Sequence, residues 1–284
     1  MWPYKFVTGV VENLILDHEM GSRFNLQTHT PVTSLERTSD GQGWRVVTER
    51  GCVETSQVLL ATNGWTSHLL PAWADLVVPC RGQMSALKPS DELRDSHRLE
   101  TSFGFMGPAM HDYLIQRPNS GGGHLMFGGG GMYGLALGNG DDSLIDTKAT
   151  TYLKESLPLL LGTKDKTGLE VETIWSGVMG FSRDELPLIG PVPKNDGLFV
   201  AVGFTGHGMP NTWLCGHAVA EMMSGVAKGK DEQHAIRSAT QATGLPRSYL
   251  LTPERLREMK RRPRVQELEN ASGVRELGNR RIGK

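Results

Sequence analysis

The chain has no apolar run near the roughly 20 residues needed to cross a bilayer, and only three cysteines among 284 residues, Cys52, Cys80 and Cys215. None sits at a short metal-binding spacing, and an odd, sparse set suits reduced thiols rather than a disulfide framework. There is no GxSxG, HExxH, CxxC or Walker phosphate loop. Their absence removes the common hydrolase, zinc and nucleoside-triphosphate chemistries. One-sided charge is lacking too. The 30 Lys+Arg and 31 Asp+Glu nearly cancel, so no global field draws nucleic acid or a membrane surface. The opening MWPYKFVTGVVENLILDHEM has no basic-then-apolar order and no small-residue cleavage site, and a cytoplasmic location is expected. No strand–GxGxxG–helix unit opens the chain, where a dinucleotide fold normally grips a pyrophosphate.

What is present is glycine: 35 residues, about 12% against a usual ~7%. Such an excess favours tight turns and close backbone approach. Charge is unevenly spread, since residues 252–284 hold ten Lys/Arg and five Asp/Glu. Helical spacing of Phe6, Val10, Leu14 and Ile15 predicts a helix over 4–20. A short strand is expected at Phe24–His29. An antiparallel meander follows over Val32–Arg37, Gly43–Glu49 and Val53–Thr55. The apolar run Gln57–Thr62 predicts a buried strand ending in the turn Asn63-Gly64-Trp65.

Further strands are expected at Val77–Leu87, Tyr113–Arg117, His124–Phe127, Glu170–Trp175 and Phe199–Val202. Helices are expected over 147–161 and over 209–224, with Pro210 in the first turn of the latter. From about 226 the chain reads as a peripheral helix and a mobile basic tail.

Gly203-Phe204-Thr205-Gly206-His207-Gly208-Met209 follows a buried strand and precedes a helix rich in small residues. It is either a helix start aimed at an anionic ligand or a tight strand–helix connection with no ligand. Residues 129–134 match GxGxxG, but LALGNGDD behind them is no helix, so a phosphate grip is not expected there. His207 is a hydrogen-bond donor to an anionic ring or a turn residue. His111 and Asp112 are adjacent and so seldom face one site. Arg81 and Arg117 could hold a carboxylate, and Tyr113 shares a strand face with Arg117. Asp184, ahead of Pro187 and Gly190, reads as a turn brace. The run Lys260-Arg261-Arg262-Pro263-Arg264 reads as solvated.

Taken in order, QVLLATNGW, RGQ, WSGVMGFSRDELPLIG and GLFVAVGFTGHGM resemble the FAD-dependent D-amino-acid/glycine/sarcosine oxidase superfamily, in wording similar to a fungal branch. The likeness runs from about Tyr4 to about Gly225. It implies an α+β or α/β fold, a truncated FAD-binding domain interleaved with an antiparallel substrate domain. The division implied is 1–81 partial FAD-binding domain, 82–170 substrate domain, 171–225 return to the FAD-binding domain, and 226–284 peripheral helix and tail. Val32 would meet the adenine. Ala61, Thr62, Asn63, Gly64 and Trp65 would lie by the pyrophosphate and ribityl chain. Gly206, His207, Gly208 and Met209 would lie at the pyrimidine edge of the isoalloxazine, where a helix start stabilises negative charge. Tyr113 and Arg117 are the candidates for orienting a small-molecule amine substrate. No catalytic acid or base is assigned, and no metal is expected.

The resemblance implies hydride removal from a carbon bearing an amine, to give an imine. Three departures qualify it. The family's opening βαβ unit is missing. Met179 stands where amino-acid and glycine oxidases carry a carboxylate-binding arginine, so a simple free amino acid is disfavoured. Gly177 falls near the position of the flavin-tethering cysteine of sarcosine oxidases, so FAD would be non-covalent. The alternatives are a truncated, non-catalytic relative, a subunit needing a partner chain for the missing dinucleotide-binding unit, and a dehydrogenase using an acceptor other than oxygen. Met1-Trp2-Pro3-Tyr4 reads like the interior of a longer chain.

Overall fold

The computed structural model describes residues 2–17, 23–107, 110–130, 133 and 135–265. Two compact units are formed, Met1–Ser56 and Gln57–Lys284. In the first, helix α1 (Pro3–Leu16) opens on a proline, tolerated there because the first-turn N–H has no helical acceptor. It is shorter than the 4–20 expected, and residues 18–22 lie outside the described set. No residue of α1 is buried. The strand expected at Phe24–His29 does not form. Its polar side chains bond locally instead, Gln27 to Asn25 and Thr30 to the Thr28 carbonyl, in competition with any ladder.

The meander does form, as antiparallel β1 (Val32–Arg37), β2 (Trp44–Thr48) and β3 (Gly51–Thr55). Asp40 and Thr38 brace its first turn, where Gln42 and Gly43 donate to them. The Arg37 guanidinium lies 3.9 Å over the buried Trp44 ring.

The second unit runs β4 (Val58–Leu60), a single 3-10 turn at Asn63–Trp65, α2 (Thr66–Leu69), β5 (Val77–Leu87), β6 (Phe103–Gly107), β7 (Met110–Gln116), β8 (Leu125–Gly129), β9 (Ala136–Leu137), α3 (Thr147–Leu161), β10 (Val171–Ser182), β11 (Leu188–Pro191), β12 (Leu198–Val202), α4 (Thr212–Ala227), α5 (Glu232–Thr243) and α6 (Pro253–Arg261). Strands β10-β5-β8-β7-β6 form an antiparallel sheet in that order, with β9 beside β5. A smaller sheet, β11-β12-β4, places β4 parallel to β12. Antiparallel sheets beside a mixed α/β layer are the architecture anticipated.

Helix α3 covers one face of the large sheet. Its Leu153 and Leu157 pack on Leu87, Leu114, Leu125 and Phe127. Asp146 caps its start by accepting from Lys148 and Ala149, and Gly162 ends it at φ +69°. A second core joins Phe199 and Ala201 to Cys215, Ala218, Val219 and Met222 of α4. Gly225 brings α5 close, since a Cβ there would lie 2.9 Å from that of Ala235.

Several expectations need correcting. β10 does not stop at Trp175 but continues to Ser182, because β5 offers it a partner along its whole length. β4 is shorter than 57–62, and Leu59 is exposed, because β4 is paired on one side only among the described residues. Helix α4 starts at Thr212, leaving Pro210 in the preceding turn, where Gly208 O accepts from both Asn211 N and Thr212 N. The chain after 226 is built in rather than peripheral. Leu251 N donates to Ile189 O, and Leu245, Leu251 and Met259 are buried. Residues 266–284 of the expected tail lie outside the described set.

Candidate active site

Three segments of the second unit meet: the turn after β4, the end of β10 and the turn between β12 and α4. Asn63 joins them. It adopts φ +41°, a left-handed conformation that asparagine tolerates better than most side chains. From there its Oδ1 accepts from Gly203 N at 3.0 Å and Phe204 N at 3.4 Å. Gly180 of β10 must be glycine, since a Cβ would lie 2.5 Å from Asn63 Oδ1 and 2.9 Å from Gly64 N. Gly64 is equally confined, because a Cβ would lie 2.5 Å from Val178 Cγ1 and 2.8 Å from Met179 O. Thr205 N donates to Gly180 O at 2.8 Å, and Ser182 N donates to Thr205 Oγ1 at 3.1 Å.

The sequence-derived residues therefore fall into distinct places. Ala61, Thr62, Asn63, Gly64 and Trp65 form the first turn, with the Trp65 indole N–H donating to Gly140 O at 3.0 Å. Gly206, His207, Gly208 and Met209 form the second. His207 Nδ1 lies 2.7 Å from Thr205 O, which requires the proton on Nδ1 and leaves Nε2 as the acceptor of the neutral ring. Asn211 gives α4 no side-chain cap and donates its amide to His207 O instead. Met209 is exposed, as are Trp213 and Leu214 in the first turn of α4. Val32 opens β1 of the first unit.

Tyr113 stands on β7, on the sheet face away from α3, and Arg117 follows four residues on, past the strand end. Desolvation, then the neighbouring Asp112 carboxylate, raises the Tyr113 phenol above its ordinary pKa. Asp112 itself points the other way. It is 2% exposed and accepts from the Tyr152 hydroxyl at 2.6 Å, so His111 and Asp112 do not share a site, as strand alternation requires. Tyr152 is raised further, first by burial and then by that bond. Asp184 does brace a turn, but its main partner is Arg255 of α6, bound through both carboxylate oxygens at 2.8 and 3.1 Å. Of residues 129–134, Gly131, Met132 and Gly134 lie outside the described set, and no helix follows. Gly180 and Arg255 were not singled out from sequence. The spacing Asn63-Gly64 to Gly203 gave no local signal for a bond 140 residues apart.

Among the described residues no cluster of three His, Cys, Asp or Glu could hold a metal ion, and no helix is long and apolar enough to cross a membrane.

Residues 21–222 match the family described as FAD dependent oxidoreductase (DAO). The chain belongs to that family. A glycine oxidase of Pseudomonas aeruginosa is 29% identical over 206 residues, covering 71% of this chain and 51% of that protein. A gamma-glutamylputrescine oxidoreductase of Escherichia coli is 26% identical, covering 70% of the chain and 43% of that protein. The chain thus spans about half the length of the curated relatives it matches. The solved glycine oxidase of Geobacillus kaustophilus superposes with a TM-score of 0.55 at 23% identity, over 73% of this chain and 50% of that one. The fructosyl amine oxidoreductase Amadoriase I of Aspergillus fumigatus gives 0.53 at 15%, over 81% and 52%. These likenesses establish the DAO fold, and FAD is the family's cofactor. The joined turns, 61–65 and 203–209, both fall inside the family match.

Proposed function

We propose that this chain carries the isoalloxazine end of the site of an FAD-dependent oxidoreductase acting on the C–N unit of an amine or amino-acid derivative. The observation that carries this reading is the Asn63 carboxamide, which ties the 61–65 turn to the 203–209 turn at the start of α4. Gly206 and Gly208, on either side of His207, leave two positions of that turn without side chains, and α4 begins without a side-chain cap. The positive end of the helix dipole suits a ring that gains negative charge on reduction. The residues present therefore fit FAD, with Gly206–Met209 at the isoalloxazine and Ala61–Trp65 by the ribityl chain and pyrophosphate. FAD, when bound, would supply the redox chemistry, as the acceptor for hydride from the carbon bearing the amine.

The chain's part is binding and orientation. Tyr113 would hold the substrate against the ring from the open sheet face. Arg117 stands at the far end of that face and would meet only a distal group. Binding is non-covalent, as none of Cys52, Cys80 and Cys215 belongs to either turn.

A visible spectrum of the purified chain, with and without added FAD, tests the reading. Structured flavin bands that survive desalting are expected. Their absence after reconstitution would sink it for this chain alone and favour a second reading, in which a further segment completes the site. That reading draws on β4, which is paired on one side only among the described residues.

A further inference from the structure

The open face of the large sheet contains a recess whose chemistry is specific. Strand register sets Gly177 of β10 directly opposite Gly82 of β5, which removes two side chains from one row. The row to one side pairs Trp175 with Met84, and that to the other pairs Met179 with Cys80. These flanking rows are four residues apart along the strand, about 13 Å between backbones. Met179 leans inward, so that its Cε would lie 3.0 Å from a Cβ on Gly82, and Leu135 Cδ2 would lie 3.8 Å away. Over Gly177 the space is open: no atom of the described residues lies within 4 Å of a Cβ built there.

The Trp175 row continues across the sheet through Gly128 to Tyr113. Gly128 is glycine because a Cβ would collide with the Met84 thioether and would lie 2.7 Å from Tyr113 Cζ. Two aromatic rings and two thioethers thus stand together on a glycine floor, with Trp175 and Tyr113 both exposed.

The two strands that floor this recess carry no charge beside it; His111, two residues before Tyr113 on β7, shares the open face. From Thr173 to Phe181 on β10, and along β5, strand alternation puts no charged side chain on this face; Glu172, at the bulge beyond Thr173, pairs with Lys88 instead. Arg81 belongs to the opposite face, where its charge acts on Asp141. Arg117 is about 20 Å away along the strand direction. Aromatic faces attract ammonium groups and repel carboxylates, and thioethers make favourable contacts with flat rings but cannot pair with an anion.

We propose that this recess, floored by Gly82 and Gly177 and walled by Met84, Trp175, Met179 and Leu135, holds the substituent on the substrate amine. It selects an amine bearing a flat apolar group over a free amino acid. The inference rests on the oxidoreductase reading only in naming the ligand a substrate; the recess and its preference stand on the sheet itself.

Two ligands sharing an N-methylamine test it. N-methylbenzylamine carries a phenyl group where sarcosine carries a carboxylate. The full chain, labelled at its methionine methyl groups with carbon-13, is titrated with each, with and without FAD. Met84 and Met179 signals are assigned from Met84→Leu and Met179→Leu. We expect saturable ring-current shifts of both methyls with N-methylbenzylamine, binding at least tenfold weaker for sarcosine, and loss of the shifts in Gly177→Val. That variant fills open space on a strand position, so its circular dichroism and melting should match the parent. Equal or tighter sarcosine binding, no shift with either compound, or undiminished binding in Gly177→Val would each overturn the proposal. Flavin retention is read separately from absorbance. A chain that keeps FAD yet prefers sarcosine defeats the recess alone, and one that loses FAD yet shows the shifts defeats the flavin reading alone.

Discussion

Asn63 does two jobs, one with its carboxamide and one with its backbone. Its oxygen accepts from two successive backbone amides, and its left-handed backbone turns the chain between β4 and α2. Asn63→Ala should strain the turn and leave the Gly203 amide without its acceptor, at a cost of about 1–3 kcal/mol. Flavin retained after desalting should fall at least tenfold in that variant, while the α3-covered sheet melts as before. Unchanged retention would separate the two turns from cofactor binding.

Arg255 is a comparable single point. Its guanidinium grips Asp184 twice and also donates to the carbonyls of Pro187 and Leu186. Both side chains are nearly buried, at 11% and 7% exposure. Arg255→Ala strands the carboxylate, and urea denaturation should register about 3–5 kcal/mol of lost stability. Arg255→Lys restores the charge without the planar fork and should recover only part of it. Sequence showed Asp184 as a brace but not what it braces, because Arg255 sits among surface-like basic residues 71 positions on. No local pattern separates one buried arginine from its solvated neighbours.

At the scale of elements, legibility followed how local each cause was. β5 was readable to the residue, since an eleven-residue apolar-rich strand advertises itself. α3 was equally plain, with its Asp146 cap and Gly162 stop. β10 was not. Ser176, Gly177 and Gly180 look like loop residues, and only the full-length partner in β5 makes them strand. Tertiary pairing overrode propensity there, and the same glycines turned out to shape the recess and the seat of Asn63.

The loop joining α3 to β10 has its own pH dependence. The Glu92 carboxylate accepts from Lys164 N and Asp165 N, and these bonds, first among its influences, hold its pKa below the ordinary value. A depressed folded pKa means that the contact is fully present above the unfolded carboxylate range and is lost as pH falls through the folded value. Amide protection at Lys164 and Asp165 should therefore drop below about pH 4. Glu92→Gln should abolish that dependence, and protection unchanged down to pH 2 would refute the assignment.

For the whole molecule, the resemblance carried more than periodicity did, because four weak motifs in a fixed order specify a fold that none specifies alone. It located the joined turns but not the atom that joins them. The family relatives are about twice the length matched here, and β4 is a parallel strand paired on one side only among the described residues. A parallel edge is rarely left to water, since such sheets are normally buried on both faces. Supplying a strand–GxGxxG–helix segment, fused ahead of Trp2 or co-expressed, should raise soluble yield and flavin affinity together. A gain in neither would argue that β4 needs no neighbour.

The pair Asn63-Gly64 has one more consequence, and it concerns ageing. An asparagine before glycine is the dipeptide most prone to lose its amide, because the next backbone nitrogen can close a ring on the side chain. Here that nitrogen is packed against Gly180, and the carboxamide oxygen is held by two amides. The second such pair, Asn139-Gly140, lies in a turn where Asn139 is only partly buried and its carboxamide oxygen accepts from Asp141 N at 2.9 Å. On storage, peptide mapping should find aspartate and isoaspartate first at 139. Conversion at 63 should follow only in chains whose turns have come apart, so the ratio between the two sites becomes a clock that records how much of a preparation is still folded around its candidate active site.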